Sequence, residues 1–356
     1  TLGNGIDPLE VIEQYGADSL RFSVISGTTM GNDIKYMPEK LEQASNFANK
    51  IWNAAKFIIN SNIKEDDINE FGNKVYNNKE GTYNAKLLTL EDKWVLNKLY
   101  KLVVDVTKNI ENYDLGVALD NIYGFIREEF CDWYIEMVKP RLYSEDYETK
   151  VAICYMLNYV FGIALKLLHP FMPFITSEIF KNLAQHNDKD LMMSNWPEIK
   201  SELNFDKEER LIENLKEIIV EIRNIRAKMN VHPSKKVKLT FVTNKYENEI
   251  NLSKEFITKL GFGSDVIVQS NRENIKHNAI SIIKDGIELY LPLEGLVDLE
   301  EEAKRKAEEK EKIKFEIQRA EKMLSNTGFV NKAPQSKIDE EKAKLEKYKE
   351  MLKKYN

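Results

Sequence analysis

Cysteine is scarce in this sequence of 356 residues, and histidine is nearly as rare. Only Cys131 and Cys154 occur, and neither belongs to a CxxC pair, so neither a disulfide framework nor a thiolate metal site is expected. The four histidines are far apart and share no ligand spacing. We therefore expect no metal and no bound cofactor in this chain, and a reducing cytoplasm fits its cysteine usage.

Glycine and proline are also few, at 15 and 9, which favours a largely helical chain. No apolar run approaches the roughly 20 residues that a membrane span needs, and the N-terminus lacks a basic-then-apolar signal pattern. We therefore expect a soluble protein without a membrane partner, and we expect it to be a monomer.

Sequence motifs for the common enzyme classes are missing as well. The chain contains no GxxxxGK[ST] phosphate loop, no GxGxxG after a strand, no HExxH and no GxSxG. No catalytic residue is assigned. The net charge of −6 argues against nucleic-acid binding over the whole surface, but the charge is uneven. The segment from residue 300 onward contains sixteen Lys/Arg and thirteen Asp/Glu, so it is slightly basic while the rest of the chain is acidic. Any contact with nucleic acid should therefore be confined to particular parts of the surface.

Long amphipathic patterns dominate the first 200 residues and predict an up-and-down helical bundle. Asp7 is a natural cap for a first short helix, and Asp18 is predicted to cap the second. A polar loop is expected over residues 61–85. The long helices are predicted over residues 39–60, 90–112, 115–138 and 148–168.

A different pattern begins after residue 200. A helix over residues 207–229 is followed by alternating strand segments, with Asp285-Gly286 as a hairpin turn, which predicts a small mixed α/β unit. From residue 296, apolar residues occupy heptad positions in two segments joined by a short loop. This tail is predicted to be an antiparallel coiled-coil hairpin. The fold class is therefore mainly α, with the α/β unit between bundle and coiled coil.

The predicted helix 39–60 carries one polar face that spans about 120° of its circumference. Phe57 projects from the middle of this face, where a core residue is not expected, while Trp52 at its edge is predicted to be buried. A ring among amides and ammonium groups suits the stacking of an unpaired base. The polar members of this candidate RNA-binding face are Asn46, Asn49, Lys50, Asn53 and Lys56.

Two further basic segments are candidates for phosphate contact. Arg223 and Arg226 lie three positions apart on the helix predicted over residues 207–229 and should share a face. The tail carries interleaved Lys and Glu, a pattern that also fits a solvated coiled coil without any RNA. Its candidate RNA-binding residues are Lys314, Arg319, Lys322, Lys332, Lys337 and Lys344.

Several stretches together resemble the C-terminal portion of valyl-tRNA synthetases, which are class I aminoacyl-tRNA ligases. The loop "GFVNKAP" is the most specific of them, while "HPFMPFITSEIF" is similar to several class I synthetases. The other stretches are "LGNGIDPLEVIEQYGADSLRF", "NFANKIWNAAKFI", "EEFCDWYIEMVKPRL" and "IRNIRAKMNVHPSKKVKL".

The resemblance implies four regions and a missing catalytic core. Residues 1–35 would form a stem-contact-like segment after the KMSKS loop, 36–200 the anticodon-binding helical domain, 201–295 a junction domain, and 296–356 a coiled-coil arm for the tRNA elbow. The implied partners are valine tRNA and the catalytic and editing domains of the same parent chain. Those domains would use ATP and Mg, so this chain alone is expected to be inactive.

Two other interpretations remain open at the level of sequence. The tail could be a coiled-coil module that recruits a protein partner. The chain could also be the equivalent region of a related class I synthetase of the isoleucine type. The lack of cysteine after Cys154 disfavours the zinc-binding C-terminus of that type.

Overall fold

A computed structural model describes residues 6–27, 36–61, 63–77, 82–184, 190–198, 205–275, 278–292 and 299–325, and isolated positions between 337 and 349. The described chain is mainly helical, with a four-stranded mixed sheet and a two-stranded antiparallel sheet. It divides into two compact units: Thr1–Ile225 with Val237–Leu291, and Arg226–Lys236 with Pro292–Asn356.

The helices are numbered here in chain order. They are α1 Pro8–Tyr15, α2 Ala17–Ile25, α3 Pro38–Ile59, α4 Glu65–Val75, α5 Leu90–Glu111, α6 Leu115–Gly124, α7 Ile135–Leu142, α8 Tyr147–Leu168, α9 Pro173–Phe180, α10 Asp206–Lys228, α11 Glu247–Leu252, α12 Lys254–Leu260 and α13 Leu299–Ser325. A π-helical segment, Phe125–Tyr134, joins α6 to α7, and short 3-10 turns lie at Ala85–Leu87 and Leu191–Met193.

Helix α8 lies at the centre of the helical bundle of the first unit. Fourteen of its 22 residues are buried, and Phe161 stacks on Phe130 of the π segment at 5.3 Å between ring centroids. By length and composition alone α8 would pass as a membrane span, so the expectation that no apolar run is long enough was wrong. Because 78% of its most apolar window is buried inside the protein, α8 has the character of a core helix.

The predicted polar loop 61–85 was wrong over most of its length. Helix α4 occupies Glu65–Val75, followed by the two-residue strands β1 Tyr76–Asn77 and β2 Thr82–Tyr83, which pair antiparallel. Ile68 and Val75 are buried, and Phe71 contacts Tyr155 of α8 at 5.8 Å between rings. A few apolar residues at helical spacing are enough to attach this otherwise polar helix to the bundle.

Asp7 accepts a hydrogen bond from Leu9 N at 2.8 Å and caps α1 as predicted. Asp18 does not cap α2, which begins after Gly16 instead. The Asp18 carboxylate is buried and accepts hydrogen bonds from the backbone N–H groups of Phe174 at 3.2 Å and Ile175 at 2.7 Å. It thus satisfies free amides in the first turn of α9, a distant helix in the sequence.

A four-stranded sheet confirms the strands predicted after residue 230. The strands are β3 Val237–Val242, β4 Gly263–Gln269, β5 Ala279–Lys284 and β6 Ile287–Pro292, in the order β4-β3-β6-β5. Strand β3 runs parallel to β4, with Leu239 opposite Val266, and antiparallel to β6, with Phe241 opposite Leu289. Asp285 and Gly286 form the predicted turn with φ of 30° and 79°, values in the left-handed region that Gly and Asp tolerate.

Helix α13 is the largest described element of the second unit. Ile313, Ile317 and Ala320 are buried along one side of it, as the heptad pattern predicts. Lys349 Nζ lies 3.0 Å from the Glu321 carboxylate. The "GFVNKAP" loop lies outside the described residues, as do Lys332 and Lys344.

Candidate nucleic-acid interface

Helix α3 presents the polar face that the sequence predicts. Pro38 occupies its first turn, where the missing N–H is harmless. Its buried side includes Phe47, which packs edge-on against Tyr123 at 4.7 Å between rings. This packing fixes the helix rotation and leaves the opposite side in solvent. The residues exposed there are Asn46, Asn49, Asn53 and Lys56.

Lys50 forms one end of this surface and is not free. Its ammonium lies 2.6 Å from the Asp132 carboxylate on the π segment, and the two side chains are 31% and 53% exposed. The neighbouring Cys131 thiol has its pKa raised to about 12, mainly by burial, with Lys50 opposing the shift and Asp132 adding to it. Cys131 is therefore a protonated, unreactive thiol near neutral pH.

Phe57 is half-buried, not fully projecting as the sequence suggested. The ammonium of Lys139 on α7 lies 5.4 Å from the centre of the Phe57 ring, a cation–π distance. Lys139 also bonds to Glu136 one turn earlier, and Lys259 of α12 lies 3.6 Å from the same carboxylate. The ring therefore stands beside a small cluster of alternating charges.

Trp52 is exposed, so the prediction that it belongs to the core was wrong. Its side chain is 42% accessible, and Asn49 and Lys56 lie three and four positions away on the same side of the helix. Ile59, the next exposed apolar residue of α3, lies farther along that side. Trp52 is thus the more accessible of the two candidate rings. A helical wheel places it next to Lys56, and that was the signal available in the sequence.

Sequence reasoning also missed Lys139, because it belongs to another helix. Asp132, Glu136 and Lys139 recur at four and three positions, so they follow one side of the π segment and α7. Their contacts with Lys50 and Phe57 show that this side faces α3. The candidate surface therefore comprises the polar face of α3 and this acidic-basic row, and we call the two together the α3–α7 surface.

The two arginines of α10 have different environments. Arg223 is exposed, donates from Nε to Leu260 O at 3.2 Å and lies 5.5 Å above the Trp133 ring. Arg226 is only 5% exposed and donates to His232 O at 3.0 Å and Lys235 O at 2.7 Å. The shared exposed face predicted for this pair is therefore wrong. Arg226 fixes the loop after α10, and only Arg223 retains access to solvent.

On α13, the candidate cations Lys314, Arg319 and Lys322 are all exposed. Lys314 pairs with Glu311 at 2.7 Å and Arg319 with Glu316 at 3.2 Å, contacts that belong to an ordinary solvated helix. Lys337 is exposed as well. An unforeseen feature is Phe315, which is 65% exposed on the side opposite Ile313 and Ile317.

Known proteins resemble this chain over almost its whole length. The family model for the anticodon-binding domain of tRNA ligase matches residues 92–241, and the model for the valyl tRNA synthetase tRNA binding arm matches residues 298–355. The valine–tRNA ligase of Clostridium perfringens is 42% identical over 99% of the chain, and that of Clostridium tetani is 44% identical over 99%.

The chain belongs to the valyl-tRNA synthetase family. It carries the anticodon-binding domain and the tRNA-binding arm of that family, and it spans 39% of the length of the Clostridium perfringens relative. A solved ternary complex of Agrobacterium radiobacter K84 agnB2 LeuRS, tRNA and LeuAMS aligns with 58% of this chain and 22% of its own. That alignment has 17% identity and a TM-score of 0.41.

The two family models cover part of each candidate surface. Asp132, Lys139 and Arg223 lie inside the anticodon-binding match, and Phe315 and Arg319 lie inside the arm match. Helix α3 precedes the anticodon-binding match, but the Clostridium perfringens relative aligns over 99% of the chain. Among the residues that the structure describes, no group of His, Cys, Asp and Glu is arranged to hold a metal ion.

Proposed function

We propose that this chain recognises valine tRNA and presents it to a catalytic portion of the same parent protein. In that protein, ATP and Mg would serve the joining of valine to the tRNA. The chain itself would contribute binding and orientation. Correct placement of a bound reactant reduces the entropy lost on the way to the transition state, so a binding module of this kind raises the reaction rate.

The α3–α7 surface is the observation that carries the proposal. It offers amides for base edges, lysines for phosphates, and the rings of Trp52 and Phe57 for stacking. This combination is typical of proteins that bind single-stranded RNA, in which unpaired bases can reach flat side chains. We propose that it contacts the anticodon loop, whose bases are unpaired.

A second contact is proposed for the arm. The predicted coiled-coil hairpin is supported by the buried side of α13 and by the Lys349–Glu321 ion pair, which links the helix to a position 28 residues away in the sequence. The arm would bind the tRNA elbow through cations and the exposed ring of Phe315. Two contacts at separate places on one RNA fix its orientation better than either alone.

The test is a filter-binding titration with valine tRNA at two salt concentrations, beside an anticodon-swapped transcript. We expect salt-sensitive binding that favours valine tRNA, because phosphate contacts release counterions. Replacing Phe57 with Ala should weaken binding by about 1–3 kcal/mol if a base stacks on the ring. Lys50→Ala should weaken it as well and should reduce the salt dependence.

Two results would contradict the proposal. Equal affinity for valine tRNA and the swapped transcript at moderate salt would show that the protein does not recognise the anticodon. Measurable ATP–pyrophosphate exchange with valine by this chain alone would show that it carries catalytic groups of its own.

A further inference from the structure

Asp132 and Glu136 are carboxylates within the α3–α7 surface, which is otherwise suited to bind an anion. Asp132 holds the Lys50 ammonium at 2.6 Å, and Glu136 bonds to Lys139 and lies 3.6 Å from Lys259. A surface that bound RNA by charge alone would gain nothing from these groups, because a carboxylate repels phosphate. Their presence calls for a role that a lysine patch does not fill.

The two carboxylates differ in how far their neighbours satisfy them. Glu136 is shared by Lys139 and Lys259, and its charge also opposes the lowering of the Arg223 pKa that burial causes. Among the described residues, Asp132 pairs with the Lys50 ammonium alone, and its side chain is 53% exposed. Exposed ion pairs of this kind contribute little to stability, so a ligand can separate Lys50 from Asp132 at small cost.

We propose that Asp132 is a specificity-determining residue that accepts a hydrogen bond from an amino or ring N–H group of an unpaired tRNA base. On binding, Lys50 would move from Asp132 to a phosphate of the RNA, and the base donor would take its place at the carboxylate. Carboxylates accept from the amino group of cytosine in this way. The inference rests on the proposed function, because it assigns the means of discrimination at the same surface.

The physical basis of discrimination is the cost of a wrong base. A base that presents a carbonyl oxygen or a ring-nitrogen acceptor at this place cannot donate a hydrogen bond to Asp132. The partial negative charge of that acceptor would also be repelled by the carboxylate. Such RNA would have to leave Lys50 on Asp132 and lose a phosphate contact. Asp132 therefore penalises non-cognate RNA more than it rewards cognate RNA, which is how negative selection between similar ligands operates.

Asp132→Asn tests the assignment because it keeps the size of the side chain and removes its charge. We expect the affinity for the anticodon-swapped transcript to rise and that for valine tRNA to rise less or to fall. The ratio of the two should shrink by about tenfold, within the range of one base contact. Asp285→Asn makes the same charge change at an exposed hairpin turn and should leave the ratio unchanged.

The outcomes separate this inference from the proposed function. If wild-type protein prefers valine tRNA and Asp132→Asn keeps the same ratio, Asp132 is only an ion-pair partner and the inference is wrong. An equal rise in both affinities is a general charge effect and overturns it too. If wild-type protein binds both transcripts alike, the proposed function fails first, and the role of Asp132 fails with it.

Discussion

Trp52 is the more exposed of the two aromatic rings on the α3–α7 surface. A tryptophan in an amphipathic helix is usually largely buried, so the sequence predicts that Trp52 belongs to the core. The structure leaves it 42% exposed beside Lys56, while Phe57 is partly covered by Lys139. The accessible ring in the free protein is therefore Trp52, and a base that stacks on Phe57 must share it with an ammonium group.

We expect Trp52→Ala to weaken valine tRNA binding by about 1–3 kcal/mol, the usual loss when one base loses an aromatic platform. The thermal unfolding midpoint should change little, because much of the ring is already in solvent. Phe174→Ala is the matched control, since Phe174 is 65% exposed on α9 and its backbone N–H, not its ring, bonds to Asp18. Equal effects of the two substitutions on binding would argue against a stacking role for Trp52.

Charged side chains and Trp94 connect helix α5 to helix α10. Glu213 accepts from Trp94 Nε1 at 2.9 Å and lies 2.8 Å from Lys98, and Lys216 lies 4.8 Å above the Trp94 ring. Burial alone would raise the pKa of Glu213, but hydrogen bonds from Lys98 and Trp94 and the charge of Lys216 lower it below its ordinary value.

Stability should therefore depend on pH through Glu213. Because its pKa is lower in the folded than in the unfolded state, its contribution is present above about pH 4.3 and is lost as pH falls toward the folded pKa. We expect urea unfolding midpoints to decline less steeply with acid in Glu213→Gln than in wild type. Glu145→Gln, at an exposed position, serves as the control. Parallel declines in all three proteins would contradict this assignment.

Among the elements, the sequence was most informative where apolar spacing was regular. The bounds of α3, α5, α8 and α10 agree with prediction to within one residue, because each buries a continuous apolar stripe. The predicted helix 115–138 extends to Leu142, past Pro140, and passes through the π segment. The local sequence does not predict the wider π-helical turns of this segment. They accompany the packing of Phe130 on Phe161 and a 2.7 Å hydrogen bond from the Tyr134 hydroxyl to Asp92.

The candidate site was harder to predict than the fold for a similar reason. Periodicity placed the amides and lysines of α3 on its outer face, and the structure confirms that placement for Asn46, Asn49, Asn53 and Lys56. It could not reveal that Asp132 holds Lys50, since 82 residues separate the two. The burial of Arg226 depends in the same way on the carbonyl groups of a loop that periodicity does not describe.

At the scale of the whole molecule, each compact unit carries an aromatic ring among cations. Phe315 lies on α13 three positions from Lys312, four from Arg319 and seven from Lys322. All four side chains are on the side of the helix opposite its buried apolar residues. An apolar ring in that place does not help the helix to pack. We propose that the ring stacks on a base of bound RNA, with the cations on the adjacent phosphates.

Removing residues 297–356 should therefore lower the affinity for valine tRNA and also the slope of log affinity against log salt. That slope counts the phosphates neutralised by the protein, so losing the arm's cations must reduce it. Phe315→Ala should lower the affinity while leaving the slope unchanged, because it removes no charge. Unchanged affinity after the deletion would instead favour the interpretation of the tail as a module for a protein partner. The two variants together distinguish stacking from charge: a loss confined to the deletion would leave Phe315 without a role in RNA binding, whereas losses in both, with different slopes, would assign the ring and the cations separate shares.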